Sequence, residues 1–171
     1  QQDAAACMAL FIGIPYDMNF RIDENIKVRF TSTGHMLGSG TANLQIIEKG
    51  QIKRIAYTGD IGRPVDRILA PPVAFPQSDI IITESTYGDR LHPGHEAAEE
   101  ELLKVLEETC VLKGGKLIIP AFSVGRTQEV VYALNTFFNE GRLPRIDIYV
   151  DSPLAVNATT VFRMHTECFN D

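Results

Sequence analysis

The chain has few cysteines, and none of them lies in a close pair. Cys7, Cys110 and Cys168 are the only three among 171 residues, and they are widely separated and odd in number. A disulfide framework or a structural zinc site normally uses cysteines in even sets or in Cys-x-x-Cys pairs. We therefore expect reduced thiols and a cytoplasmic protein.

Long apolar runs and an excess of positive charge are also lacking. No apolar run approaches the length of a membrane-spanning helix, so we expect no membrane partner. The formal net charge is −6, from 16 basic and 22 acidic residues. This balance disfavours a protein that binds nucleic acid through a broad basic face. It is still compatible with phosphate binding by metal ions and a local cluster of Arg and Lys.

The first half of the chain is rich in predicted strands. Alternating apolar and basic side chains at residues 26–30 predict a half-buried strand that runs towards His35. Residues 41–47 and 52–57 are predicted to form two further strands joined by a hairpin turn. An uninterrupted apolar stretch at residues 79–83 predicts a strand that is buried on both faces. These strands belong to a predicted α/β fold.

After about residue 88 the pattern changes to alternating helices and strands, and we place a domain boundary there. Short loops between such elements imply a parallel sheet built from right-handed crossovers. The predicted elements are a helix from about residue 96 to Gly114, a strand at 116–119, a helix through 130–138, a strand at 146–150 and a helix at 153–162.

Three side chains suited to metal binding or acid–base chemistry each follow a predicted strand. They are His35, Asp60 and Glu84, and glycine lies within a few residues of each. If the strands lie side by side, all three project from the end of one sheet, where α/β folds usually form a site. One imidazole and two carboxylates suit a divalent cation. Taken singly, each of these motifs is more often an ordinary turn.

A second candidate site lies where a predicted strand becomes a helix. The hydroxyl of Ser123, the guanidinium of Arg126 and the free backbone N–H groups of the helix start would form a phosphate cradle. The alternative is structural, with Arg126 paired to Glu129 on the same helix. The residue pattern favours neither one.

Five motifs occur along the chain in a fixed order. They are Gly-His-Met-Leu-Gly-Ser at 34–39, Tyr-Thr-Gly-Asp at 57–60, Glu-Ser-Thr-Tyr-Gly at 84–88, Ile-Pro-Ala-Phe-Ser-Val-Gly-Arg-Thr-Gln-Glu at 119–129 and Asp-Ser-Pro-Leu-Ala at 151–155. With these motifs the chain resembles the β-CASP family of metallo-β-lactamase-fold nucleases, which includes the endonuclease subunit of mRNA 3′-end processing. The resemblance implies part of an αββα sandwich in residues 1–88 and the first part of a parallel-sheet β-CASP lobe in residues 89–171.

The same resemblance implies hydrolysis of RNA phosphodiester bonds at two zinc ions. His35 would bind one zinc ion, and Asp60 would bridge both. Glu84 would orient a histidine that donates a proton to the leaving oxygen. Single-stranded RNA is the implied substrate, and only the similarity of residues 84–88 to RNA-processing members favours RNA over DNA.

The family's His-x-His-x-Asp-His motif, which supplies most of its metal ligands, is absent from this sequence. The family's later histidine motifs are absent as well. We therefore expect an internal piece of a longer nuclease, inactive as this chain, with an incomplete zinc site. Its exposed sheet edges would favour a homo-oligomer.

Two other functions remain open at this point. One is a non-catalytic scaffold member of the same family, because some members keep the fold and lose metal ligands. The other is a simple nucleotide-binding α/β domain with residues 123–126 as its only site. A His-x-His-x-Asp-His motif upstream of this sequence would favour the nuclease.

Overall fold

A computed structural model of the chain describes residues 2–91, 94–121 and 124–170. The chain divides into two compact units. Unit 1 comprises Gln1–Pro64 and Pro71–Glu84, and unit 2 comprises Val65–Ala70 and Ser85–Asp171. The combination of a sheet with helices confirms the predicted α/β class. The assignment of residues 1–88 and 89–171 to two family domains stays a prediction.

Unit 1 is built on a five-stranded sheet with the strands in chain order. Neighbouring strands are antiparallel from β1 to β4, and β5 is parallel to β4. The strands predicted at residues 26–30, 41–47 and 52–57 are confirmed. A short helix, α1 (Gln2–Met8), precedes the sheet. The strands are β1 (Phe20–Arg21), β2 (Ile26–Ser32), β3 (Gly40–Glu48), β4 (Gln51–Tyr57) and β5 (Ile80–Ile82).

The predicted hairpin between β3 and β4 is confirmed. Lys49 and Gly50 form its two-residue turn, and their φ angles are 50° and 78°. Positive φ at both central residues is the turn geometry whose twist matches that of the flanking strands. The register that follows pairs Leu44 with Ile55 and Gln45 with Arg54. Because side chains alternate along a strand, one face of this sheet is mostly apolar and the other is mostly polar.

The strand β5 differs from the prediction in its burial. It was predicted to be buried on both faces, but Ile80, Ile81 and Ile82 are 47%, 53% and 52% exposed. The reason is that β5 is the edge strand of the sheet and pairs with β4 alone. An apolar run shows that a strand is suited to burial, but its position in the sheet decides whether it is buried.

Unit 2 is mainly helical in the residues described. Its helices are α2 (His95–Leu106), α3 (Arg126–Asn139) and α4 (Pro153–Met164), and a wider π-helical turn (Glu107–Leu112) extends α2. Thus the three predicted helices are confirmed. The core formed by α2, α3 and the loop after α3 contains six buried residues, Leu103, Leu106, Ala133, Leu134, Phe137 and Leu143. No helix in the described part of the chain is long and apolar enough to cross a membrane.

The start of α4 follows the rules for helix N-termini. The Ser152 side chain accepts a hydrogen bond from the Ala155 N–H at 3.2 Å, and Pro153 occupies the first turn. Proline is well suited there because its missing N–H would have had no partner within the helix.

The prediction of two strands in this unit, at residues 116–119 and 146–150, is wrong. Neither stretch pairs with another strand among residues 94–121 and 124–170, so the predicted parallel sheet is not formed there. Ile118 and Tyr149 are each 87% exposed. A short apolar stretch becomes a strand only when a neighbour supplies hydrogen bonds to its backbone.

A small antiparallel contact joins the first segment of unit 2 to the end of the chain. Leu69 forms an isolated bridge with Phe169. The Asn170 N–H donates to the Ile68 carbonyl at 2.9 Å, and the Asn170 amide donates to the Asp66 carbonyl at 2.6 Å. These contacts place residues 66–70 in the same unit as residues that lie about a hundred positions later.

Candidate active site

His35 and Asp60 lie next to each other in unit 1. His35 follows β2 and Asp60 follows β4, and the distance from His35 Nε2 to Asp60 Oδ2 is 3.8 Å. Their side chains are 40% and 73% exposed. Because 3.8 Å is longer than a hydrogen bond, the ring nitrogen and the carboxylate oxygens are not committed to each other. The pair is therefore accessible to a cation or a substrate group.

Glu84 lies close to the same loop. The Ile61 N–H donates a hydrogen bond to Glu84 Oε1 at 2.7 Å, which ties this half-buried carboxylate to the residue after Asp60. The strands β2, β4 and β5 run in the same direction, so the residues that follow them lie at one end of the sheet. The structure thus brings His35, Asp60 and Glu84 together at one sheet end, while their chemical roles stay predictions.

Ser39 holds the loop that carries His35. Its hydroxyl oxygen accepts hydrogen bonds from the Thr33 hydroxyl at 2.9 Å and from the backbone N–H groups of His35 and Met36 at 3.2 and 3.1 Å. The same hydroxyl donates to the Met36 carbonyl at 2.8 Å. One side chain therefore fixes both ends of the turn, and it sets the backbone position from which the imidazole projects.

We expect the variant Ser39→Ala to lower the free energy of unfolding by about 1–3 kcal/mol, because it leaves partly buried donors without an acceptor. In a chain of this size the melting temperature should fall by roughly 2–4 °C for each kcal/mol. Thermal unfolding followed by circular dichroism measures the change. Ser78→Ala is the matched control, since that exposed hydroxyl only donates to the Pro76 carbonyl. Equal melting temperatures for the two variants would contradict the role given to Ser39.

Gly62 joins the Asp60 loop to the His35 loop. Its N–H donates to the Thr33 carbonyl at 2.9 Å. A Cβ atom at this position would lie 2.1 Å from the Gly34 carbonyl oxygen and 2.6 Å from the His35 nitrogen, so only glycine fits. The two loops are in direct backbone contact at this point, and this contact sets the spacing between His35 and Asp60.

Buried threonines lie beneath the site, at the ends of the strands that carry it. The Thr58 hydroxyl donates to the Gly59 carbonyl at 2.8 Å and lies 3.3 Å from the Thr83 hydroxyl. The Thr58 N–H donates to the Ile82 carbonyl, which continues the pairing of β4 with β5. Four threonines in this region are 1–3% exposed: Thr31, Thr33, Thr41 and Thr58. Hydrogen-bonded hydroxyls at this depth fix the strand ends from which the site residues project.

The sequence analysis did not assign roles to Ser39, Gly62 or Thr58. Ser39 was part of the first motif, and Thr58 stood two residues before Asp60, so both positions were visible. Gly62 is two residues after Asp60, but its contact with Gly34 joins positions that are far apart in the sequence. No local pattern signals such a contact.

The residues present fit a divalent cation only in part. An imidazole nitrogen and a carboxylate oxygen are typical zinc ligands, and catalytic zinc sites usually use three protein ligands. Among residues 2–91, 94–121 and 124–170 there is no group of three or more His, Cys, Asp or Glu residues that could hold a metal ion. Thus His35 and Asp60 supply part of a ligand set.

At the second candidate site, Arg126 pairs with Glu129, as the structural alternative predicts. Arg126 Nη1 lies 3.3 Å from Glu129 Oε2 at the start of α3, and the Gly125 N–H donates to the Gln128 side chain at 3.0 Å. An exposed ion pair of this kind contributes at most about 1 kcal/mol. Ser123 lies outside the described residues, so the phosphate cradle of Ser123 and Arg126 stays a prediction.

The sequence also matches a family model and several known proteins. The family model described as the Beta-Casp domain matches residues 127–171. The chain is 38% identical over 153 residues to the RNase J-like protein of Methanocaldococcus jannaschii, an alignment that covers 88% of this chain and 35% of that protein. The chain is thus similar to proteins of the β-CASP family. This confirms the resemblance seen in the five motifs.

Two further relatives come from a bacterium and an animal. Identity is 34% over 146 residues to ribonuclease TTHA0252 of Thermus thermophilus, covering 85% of this chain and 32% of that protein. Identity is 36% over 159 residues to cleavage and polyadenylation specificity factor 73 of Drosophila melanogaster, covering 90% and 22%. The chain therefore spans about a third or less of the length of these relatives. The β-CASP family is metal-dependent, in agreement with the ligand types at the sheet end.

Proposed function

We propose that this chain is part of a zinc-dependent ribonuclease that hydrolyses phosphodiester bonds in single-stranded RNA. The observation that carries the proposal is the pair of exposed side chains, His35 and Asp60, 3.8 Å apart at the end of the sheet. The relatives named as a ribonuclease, as RNase J-like and as a cleavage and polyadenylation factor support RNA as the substrate. The last of these supports a role in RNA processing, including mRNA 3′-end formation.

Within this site His35 and Asp60 would hold zinc together with ligands from other parts of the protein. When bound, zinc would activate a water molecule and neutralise charge on the phosphate. Asp60 suits metal binding because its side chain ends in a carboxylate and is 73% exposed. His35 is kept in position by the backbone hydrogen bonds to Ser39, which limit the directions in which its ring can project.

Glu84 has a different part in the proposal. Its carboxylate accepts a hydrogen bond from the Ile61 N–H. Glu84 therefore supports the loop that carries Asp60 and is not one of the two proposed zinc ligands. A carboxylate in that position would orient a neighbouring proton donor, and its hydrogen bond holds the Asp60 loop in place. Glu84 is thus a positioning residue.

The proposal is tested in the full-length protein by measuring zinc content and cleavage of a labelled single-stranded RNA. We expect a chelator to abolish cleavage and added zinc to restore it. His35→Ala should lower both zinc content and activity, because it removes a ligand. Glu84→Gln should keep the zinc and lower kcat by roughly 10–100-fold, the usual effect of losing a residue that orients the ligands or their partners.

Two results would overturn the proposal. One is full cleavage activity after complete removal of zinc and other divalent ions. The other is a zinc-loaded protein that binds RNA and does not cleave it, which would favour a scaffold member of the family. If Glu84→Gln emptied the zinc site and His35→Ala kept it full, the two roles would have to be exchanged.

A further inference from the structure

Four polar side chains form a single row across the sheet of unit 1. The strand register pairs Arg21 with Lys27, Lys27 with Gln45, and Gln45 with Arg54. Side chains of paired residues project from the same face, so these four lie side by side on the polar face of the sheet. We call this set the basic row. Three of its four members are cationic in a chain whose formal net charge is −6.

The cationic side chains of the basic row form no ion pairs among the residues that the structure describes. Neither Lys27 nor Arg54 forms an ion pair within the described residues, and Arg21 Nε donates only to a backbone carbonyl, that of Asp23. Asp79 accepts a hydrogen bond from the Arg54 backbone N–H at 2.8 Å, but it forms no ion pair with the guanidinium. Like charges directly opposite each other, such as Arg21 and Lys27, destabilise a sheet unless an anion screens them.

The residues around the basic row form a shallow cavity of about 180 Å³. Lys27, Arg29 and Arg54 line it, with Asn43 and Gln45 between them, and none of its lining residues is acidic. Arg29 is already neutralised, since its Nη2 lies 2.6 Å from Asp17 Oδ1. The unpaired positive charge in the cavity therefore comes from Lys27 and Arg54.

We propose that the basic row binds the phosphate backbone of the single-stranded RNA that the active site cleaves. The choice of RNA as the occupant rests on the proposed function, and the choice of phosphate rests on the charge of the row. Adjacent strands are about 4.8 Å apart, so Lys27 and Arg54 are separated by about 10 Å across the sheet. This spacing suits separate contacts to a polyanion better than a single small anion held between the two cations.

The basic row also lies on the strands that lead to the site. Arg54 on β4 is followed by Thr58 and then Asp60, and Lys27 on β2 is followed by Thr31 and then His35. At about 3.3 Å per residue, the row lies roughly 13 Å before the buried threonines at the strand ends. A strand of RNA running along this face would thus be held away from the cleavage site and directed towards it.

Equilibrium binding of a fluorescein-labelled poly(U) 20-mer to the full-length protein tests the proposal, with metal ions chelated so that no cleavage occurs. We expect Lys27→Gln combined with Arg54→Gln to weaken binding by about tenfold or more at low salt. The slope of log K against log salt should become shallower by about 0.7 for each phosphate contact removed. Lys27→Arg keeps the charge and should keep the affinity.

Lys53→Gln is the matched control, because Lys53 is the neighbour of Arg54 in sequence but lies on the opposite face and pairs with Glu48 at 3.6 Å. Unchanged affinity and salt slope in the double variant, or equal losses in Lys53→Gln, would overturn the proposal. The proposal would also be overturned if the protein bound phosphatidylserine vesicles through the basic row and did not bind poly(U), because the partner would then be a membrane surface. Since binding is measured without metal, a protein that binds poly(U) through the row but never cleaves RNA would refute only the proposed function.

Discussion

Asp60→Asn in the full-length protein should lower RNA cleavage by roughly a thousandfold or more while leaving the fold intact. An amide is neutral and binds a divalent cation far more weakly than a carboxylate, so charge stabilisation worth several kcal/mol is lost. The fold should not suffer, because the contact described for the Asp60 carboxylate is the one to His35 Nε2 at 3.8 Å. Single-turnover cleavage and zinc analysis measure the effect.

Asp89→Asn provides the control for this experiment. Asp89 is also exposed, and its carboxylate pairs with the neighbouring Arg90 at 3.0 Å. We expect that variant to cleave RNA at the normal rate. Normal cleavage by Asp60→Asn would show that Asp60 binds no catalytic metal, and the assignment of the sheet end as the active site would then have to be withdrawn.

Gly62→Ala should have the second largest effect. The new methyl group would lie 2.1 Å from the Gly34 carbonyl oxygen, so the His35 and Asp60 loops must move apart. Overpacking of this kind costs about 1–3 kcal/mol of stability, and a shift of about 1 Å in a catalytic group can cost about a hundredfold in rate. Gly62 does not have a positive φ angle, so the effect is one of space and not of backbone strain.

The matched variant for this experiment is Gly13→Ala. A Cβ atom on Gly13 meets nothing within 4 Å, so this substitution should leave both the melting temperature and cleavage unchanged. Unfolding curves and kcat are measured for both variants. If Gly62→Ala behaved like Gly13→Ala, the contact between the two loops would not determine the spacing of His35 and Asp60.

The sheet of unit 1 could be predicted from the sequence because its signals are local. Alternation along β2 and the turn at Lys49 and Gly50 each depend on a few neighbouring residues. The three candidate residues His35, Asp60 and Glu84 were found for the same reason, since each directly follows a strand. What brings them together is the common direction of β2, β4 and β5, because β2 and β4 are both antiparallel to β3 and β5 is parallel to β4.

The features that the sequence did not reveal depend on partners distant in the chain. The stretch at residues 116–119 has the composition of a strand, but pairing requires a neighbour, and none is present among the residues described. Exposure of β5 follows from its edge position and not from its apolar composition. Likewise, the fit of Gly62 against Gly34 depends on the approach of two loops.

The contact of residues 66–70 with the end of the chain has a consequence for the order of folding. The Asn170 amide reaches the Asp66 carbonyl across 104 residues, and closing so long a loop costs entropy before its hydrogen bonds are gained. The hairpin of β3 and β4 closes over only two turn residues, and β2 joins it through a short loop. During synthesis, therefore, the sheet that bears His35 and Asp60, whose last strand ends at Ile82, can be complete long before the segment at residues 66–70 finds its final partner near Asn170.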